Sequence, residues 1–450
     1  MGETVMRRLR WSEMDDAGRA ALCARGLAEI FNPQLRASIG ELVEDVRLRG
    51  DVAVCDALAR FDGVELAPDR LCVGADELAS AAVSPDVDAA LDHAIANCRK
   101  FNEQLMARAT DWSFEPEPGL RVGEKVTPIA SAGLFVPSGK ASYPSVAYQL
   151  GVPATVAGVP RIVLVVPPVP GAADGAIDPA VAVVCRKLGI TEVFRVNGPA
   201  GLAALAFGTE SIPRVRKVVG PGSPAVTCAQ VELQRHGTAT MMLLGPTESV
   251  VVADATADPV RLAADLLIEA EHGTDSSVVL VTTSADVADA TDAELASQLA
   301  DLPTARAEAA RAALGLNGGC VLVDSLDAAI EVANRYAPEH LQLALADSEV
   351  DRAIGGIVNA GEILIGQHTP FSAANFVIGC PASLPTSGFA EVSSGITVEA
   401  FLKRTAIARA DEAALARMAP SILALADQEG FPAHAAAIRT RSRRRSGAPG

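Results

Sequence analysis

Apolar positions along the chain fall into two recurring patterns. Short β-branched runs bounded by Gly and Pro occur at Ile162–Val166, Val193–Val196, Val218–Val219, Val250–Val252, Val278–Val281 and Cys320–Val323. Ala-rich segments of helical period lie between them. Strands that alternate with helices imply crossover connections and therefore a parallel sheet. One unit is well punctuated: the strand Val250–Val252, a helix opened by Asp258 as N-cap and Pro259 at its first position, a stop at Gly273, and the strand Val278–Val281. About the first 30 residues read as partly amphipathic helix, and about the last 50 as helix again, ending in the basic tail RTRSRRRSGAPG, which reads as a disordered end. No internal repeat is present.

Composition narrows the class. At roughly 150 residues per domain, 450 residues predict two to four domains. With 49% apolar and 21% charged residues the chain is globular rather than disordered. Aromatics are 4%, so the core is built from Ala, Val, Leu and Ile, and stacking platforms for bases are lacking. The 38 basic and 55 acidic residues give a net charge of −17, the wrong sign for a nucleic-acid binder. Eight cysteines stand singly with no CxxC, which argues against a disulfide framework or zinc knuckle and for a reducing compartment. The start, MGETVMRRLRWSEMDD, has no apolar signal-peptide core. The longest apolar stretch, RIVLVVPPVPGAA, is cut by prolines short of the roughly 20 residues of a membrane span. The expected setting is cytoplasmic, with neither nucleic acid nor membrane as partner.

Three acid–imidazole pairs carry candidate chemistry. Glu269 and His272 lie one turn apart at the end of the predicted helix, where a carboxylate and an imidazole on one face can hold two corners of a zinc site; a surface ion pair is the plainer reading. Pro338-Glu339-His340 follows a helix ending NRYA and offers a water-activating carboxylate beside a general base, or else a solvated cap. Glu429 and His434 sit in a short helical tail. Two glycine-rich segments read as turns. GPGSPA (Gly220–Ala225) follows a strand and has the G-x-G-x-x-A spacing that admits a pyrophosphate, or is an ordinary tight turn. GLFVPSGKASYPS combines Gly133, Gly139 and Lys140 with Pro and Ser.

The segments GLFVPSGKASYPS, VVGPGSPAVT, GPTE, AEHGTDS, YAPEHLQL, SAANF…LPTSG and EGFPAHAAAIR occur in the order and approximate spacing of the histidinol dehydrogenase family, and the chain resembles that family from about residue 30 to about residue 440. The resemblance implies an α/β fold with two Rossmann-like parallel-sheet domains, small helical N- and C-terminal domains, and an intertwined homodimer. It places a first Rossmann-like domain, with metal and catalytic residues, at 28–134 and 247–396, and a second, NAD-binding one at 135–246. Residues 1–27 and 397–415 become a helical dimerisation part, 416–440 a helical tail completing the partner's active site, and 441–450 a disordered tail.

It further implies a zinc- and NAD-dependent enzyme oxidising a primary alcohol through the aldehyde to the carboxylate. By this likeness His340 takes the alcohol proton and Glu339 activates water. The zinc set falls on Glu269, His272, Asn375 and His434. Substrate contacts fall on these four, His340, Thr247 and Glu429, and NAD contacts on Phe135, Ala200, Ser223, Gly220 and Gly222. Several positions depart from the family pattern. Glutamine has become Glu269 and aspartate Asn375, so amide and carboxylate have changed places within a set of unchanged charge. A substrate-side histidine is Ala382; tyrosine, glutamine and asparagine on the cofactor side are Phe135, Ala200 and Ser223. These departures predict a small polar alcohol other than histidinol as substrate. Authentic histidinol dehydrogenase and an inactive, dimeric binding homologue are the two alternatives.

Overall fold

The computed structural model describes residues 4–25, 32–138, 143–241 and 245–442. Gly139, Lys140 and the tail from 443 onward lie outside the described residues. Thirteen strands occur among these residues: β1 (Arg8–Arg10), β2 (Trp112–Glu117), β3 (Leu120–Pro128), β4 (Ala132–Phe135), β5 (Ile162–Val166), β6 (Glu192–Arg195), β7 (Lys217–Val219), β8 (Glu248–Ala253), β9 (Ser277–Thr282), β10 (Gly319–Leu322), β11 (His340–Ala344), β12 (Glu362–Ile365) and β13 (Leu402–Ala410). Contacts divide the chain into two units, residues 1–105 with 129–401 and residues 106–128 with 402–450.

The first unit is a mixed α/β structure built on two parallel sheets. One has six strands in the order β1-β10-β9-β8-β11-β12, the other four in the order β6-β5-β4-β7. Helices cover the sheets, so β8, β9 and β11 are buried at every position; β8 and β9 accordingly carry unbroken apolar runs (VVVA and VVLV), while β11, HLQLA, buries polar His340 and Gln342 as well. Each of the six expected runs is a strand to within a residue or two. In the punctuated unit, the Asp258 carboxylate accepts the Val260 N–H at 3.0 Å, the helix Pro259–Ala270 follows, and β8 and β9 pair as parallel neighbours.

Other expectations are corrected. The chain does not open as helix alone: Arg8–Arg10 adds a parallel edge strand beside β10. The GLF of the first glycine-rich segment is not a turn but the central strand β4, where a Cβ on Gly133 would stand 2.7 Å from Leu205. The last 50 residues begin with a strand, β13, paired antiparallel to β3 over nine residues.

The second unit consists of the antiparallel sheet β13-β3-β2 and the helices Glu412–Gln428 and Pro432–Ser442, which pack on each other. Asp411 caps the first of these, accepting from Ala414 N–H at 2.7 Å. All eight cysteines are free. Among the described residues, no helix is long and apolar enough to cross a membrane.

The turn after β7 is fixed by glycine. Gly220 has φ +151°, and a Cβ there would lie 2.2 Å from the Phe135 carbonyl oxygen, while the Gln230 amide donates to the Gly220 carbonyl at 2.8 Å. Gly220→Ala must therefore move backbone. A loss of roughly 2–4 kcal/mol in unfolding free energy is expected from urea titration; a loss below about 0.5 kcal/mol, the usual range for a neutral surface change, would contradict this packing.

Candidate active site

A cleft of about 550 Å³ in the first unit is lined by the turns after β4 and β7 and by the amino ends of β8 and β11. It gathers Gly222, Ser223, Thr247, Glu269, His272, Glu339, His340, Asn375 and Ala382 from distant parts of the sequence. It leaves out two expected cofactor residues. Phe135 and Ala200 are buried in the core around the four-stranded sheet, at 2% and 0% exposure, because the Phe135 ring packs against the start of the helix Gly198–Phe207. Gly220 is also buried, directly behind the cleft wall. Glu429 and His434 belong to the second unit, where both are exposed, Glu429 ending one helix and His434 in the first turn of the next.

The Glu339–His340 pair is placed by a left-handed turn. The helix Leu326–Tyr336 ends at Ala337, a non-glycine residue at φ +49°, and Pro338 then directs Glu339 and His340 into the start of β11. Both side chains are buried rather than solvated. Glu339 Oε2 accepts the Glu248 backbone N–H at 3.2 Å, and its Oε1 lies 3.7 Å from His340 Nε2. Glu248 is itself fully buried, accepting from Ser387 N–H at 3.0 Å and pairing with Arg25 at 2.9 Å. Ser387 is the second non-glycine residue at positive φ, +56°. Both strained backbones thus border the buried carboxylates.

Burial pushes Glu339 up to about 8 and Glu248 up to about 7. For His340 burial opposes the charged form, but Glu269, Glu339 and Glu362 outweigh it and push the imidazole up to about 10. Each of these groups binds its proton more tightly in the folded chain. Its contribution to stability is complete below the ordinary value, 4.5 for the glutamates and 6.5 for the histidine, and is lost as pH rises through about 7, 8 and 10. The Tm of the metal-free protein is therefore expected to fall steadily from pH 7 to pH 10, and less steeply in Glu339→Gln. A Tm that is level or rising over that range would contradict the assignment.

Glu269, on the helix Pro259–Ala270, is 1% exposed. The Asn375 amide, in a π-helical turn over Ala374–Ile378, donates to Glu269 Oε1 at 2.8 Å. Glu269 Oε2 is buried with no hydrogen-bond partner and stands 3.5 Å from Nε2 of His272, in the turn just past the helix end. Two ligands of a tetrahedral ion with bonds near 2.1 Å lie about 3.4 Å apart, so the unpaired oxygen and the imidazole fit a zinc ion. Asn375 Oδ1 offers a neutral third donor. Among the described residues no three His, Cys, Asp or Glu side chains converge as a ligand group; the first unit brings together one carboxylate, one imidazole and one amide.

Several residues at the site carried no recognised signal in the sequence. Glu362, Cys380, Glu248 and Arg25 surround the pair from segments whose pairing was not read, since β11 and β12 are runs of only five and four residues, each opening on a polar residue. Gln149 is another: it lines the cleft at 3% exposure with an unpartnered amide nitrogen.

The family model for histidinol dehydrogenase matches residues 28–442. The chain belongs to the histidinol dehydrogenase family. It is 42% identical over 404 residues to the histidinol dehydrogenase of Synechocystis sp. (89% of this chain, 91% of that one) and 41% identical over 420 residues to that of Rhizobium meliloti (93% of each). Its fold matches the crystal structure of histidinol dehydrogenase from Elizabethkingia anophelis with a TM-score of 0.91 at 30% identity, covering 98% of this chain and 99% of that one. These likenesses overturn the expectation of an alcohol other than histidinol. That expectation treated the changes at Glu269 and Asn375 as a disturbed histidinol dehydrogenase site. The structure instead shows the two side chains in direct hydrogen bond, so an exchange of amide and carboxylate leaves the same groups at the same place.

Proposed function

We propose that this protein is an authentic histidinol dehydrogenase, oxidising L-histidinol through the aldehyde to L-histidine with two NAD per turnover. The observation that carries the reading is the buried Glu339–His340 pair, facing the same cleft as Glu269, His272 and Asn375, in a chain whose near-full-length relatives bear that name.

The cofactor end is read from the four-stranded sheet. Its order reverses between β4 and β7, and the turns after those two strands, Pro137-Ser138 and Pro221–Ser223, line the cleft. Ligands of open parallel sheets bind at such a reversal, as in Rossmann folds. The helix Pro224–Gln234 opens there without a side-chain cap, leaving its first N–H groups for a dinucleotide phosphate.

At the chemical end, the carboxylate field that holds the proton on His340 in the metal-free protein would be opposed by a zinc cation beside Glu269, which would likewise favour ionised Glu339. Neutral His340 then accepts the hydroxyl proton on Nε2 as the adjacent carbon gives its hydride to NAD. Glu339 then takes a proton from the water that adds to the aldehyde, and the hydrate gives a second hydride to a second NAD. One alcohol, one water and two NAD⁺ thus yield one carboxylate, two NADH and three protons. Glu269, His272 and Asn375 would hold the zinc, with His434 of the partner subunit completing the set and Glu429 of the partner subunit contacting substrate in an intertwined homodimer. Bound zinc supplies Lewis acidity toward the substrate oxygen, the effect that lowers the pKa of water from 15.7 to about 7. Expression in a histidine auxotroph blocked at histidinol oxidation is expected to restore growth without histidine; no growth despite soluble expression would refute the reading.

A further inference from the structure

The geometry points to Glu362 as the positioning residue for His340, holding its Nδ1 so that Nε2 alone faces the substrate. The inference rests on the reading of His340 as the base.

β11 and β12 run parallel with His340 directly opposite Glu362 in register. Their side chains meet at 2.5 Å between His340 Nδ1 and Glu362 Oε1, with both groups buried. An ionised carboxylate only accepts, so Nδ1 carries the proton and the lone pair of the neutral imidazole is on Nε2. Nε2 is the nitrogen on the Glu339 side, 3.7 Å from Glu339 Oε1. The Phe371 ring packs edge-on against the imidazole at 5.7 Å between centroids, which restrains the ring from turning over.

Glu362 is held in turn. Its Oε2 accepts from the Cys380 thiol at 3.4 Å, and its backbone N–H donates to the Glu339 carbonyl at 3.2 Å. Burial, with Glu362 beside it, pushes the Cys380 thiol up to about 12, so it remains a donor across the working range of an enzyme. The chain Cys380–Glu362–His340 is thus a fixed relay of orientation. As Nε2 takes the substrate proton, the imidazolium that forms is stabilised by a carboxylate already in contact, with no rearrangement required.

The test uses the full-length zinc enzyme. In protein labelled with ¹⁵N-histidine, the resonance assigned to His340 by its absence in His340→Asn is expected to show a Nδ1 proton protected from exchange. That proton should be lost in Glu362→Ala. Kinetically, Glu362→Gln is expected to lower kcat on histidinol at least tenfold, within the up to about 10⁴-fold found where a carboxylate holds a catalytic histidine in its tautomer. KM should change less than about threefold, Glu362→Asp should recover part of the loss, and Cys380→Ala should cost far less than Glu362→Gln. A His340 carrying its neutral-form proton on Nε2, or a Glu362→Gln enzyme with unchanged kcat, overturns the inference. If the unsubstituted protein fails to oxidise histidinol, the function is refuted, while the Nδ1 proton still reports on the Glu362 contact.

Discussion

His340→Asn is expected to lower kcat on histidinol by about 10²- to 10⁴-fold, the usual worth of a positioned general base, while zinc content stays unchanged. His340 faces the same cleft but is outside the Glu269, His272 and Asn375 set proposed to hold zinc, so its loss should remove proton uptake without removing a ligand. The neighbouring substitution separates the two halves of the reaction. Glu339 Oε2 is held by the Glu248 N–H, so Glu339→Gln keeps a carbonyl acceptor there and loses the basic carboxylate. The alcohol step then proceeds and water addition slows. A burst of about one NADH per site followed by a slow phase is expected in rapid-mixing experiments, against two NADH at similar rates in the unsubstituted enzyme. Equal damage to both phases in both variants would contradict the division of roles.

The second large effect concerns the exchanged pair. Glu269→Gln alone leaves two amides and one imidazole in the first unit's ligand set. Zinc affinity, read by competition with a chromophoric chelator, is expected to fall at least tenfold to a hundredfold, as a charged ligand is lost from a partly buried site. Asn375→Asp alone sets two carboxylates in contact where an amide now donates at 2.8 Å, so the metal-free protein loses that hydrogen bond and gains like-charge repulsion. Its Tm without zinc should fall and its dependence on added zinc should steepen. The double substitution restores one carboxylate and one amide. Both zinc affinity and histidinol turnover are then expected to return to within a few-fold of the starting values, a strong departure from additivity. Additive losses in the double variant would show that the two positions act independently.

The strands most legible in the sequence were the buried parallel ones, because an unbroken Val/Leu/Ile run between Gly and Pro leaves little choice of element. Asp258-Pro259 marked a helix start by capping chemistry that acts within three residues. The site was legible where its residues are neighbours in the chain, as with Glu339-His340 or Glu269 and His272. It was not legible where tertiary register creates it. Nothing local distinguishes Glu362 from other glutamates until β12 pairs with β11, 22 positions from His340. Burial reversed the plain reading of one pair and of half of another: Glu339-His340 reads as a solvated cap yet lies inside the protein, and Glu269 of the expected surface pair with His272 is buried. Phe135 and Ala200, expected as cofactor contacts, have their side chains in the core around the four-stranded sheet. The sequence already reads Glu269 and Asn375 as an exchange that keeps the charge of the set, and predicts a different substrate because the charge has moved and a histidine has become Ala382; the direct contact of the two side chains shows how small that move is.

Progress curves of purified protein with zinc, excess NAD and limiting L-histidinol are expected to show two NADH formed for each histidinol consumed, with L-histidine as the product. No NADH from histidinol, or a reaction that stops at one NADH with the aldehyde accumulating, would contradict the proposed function.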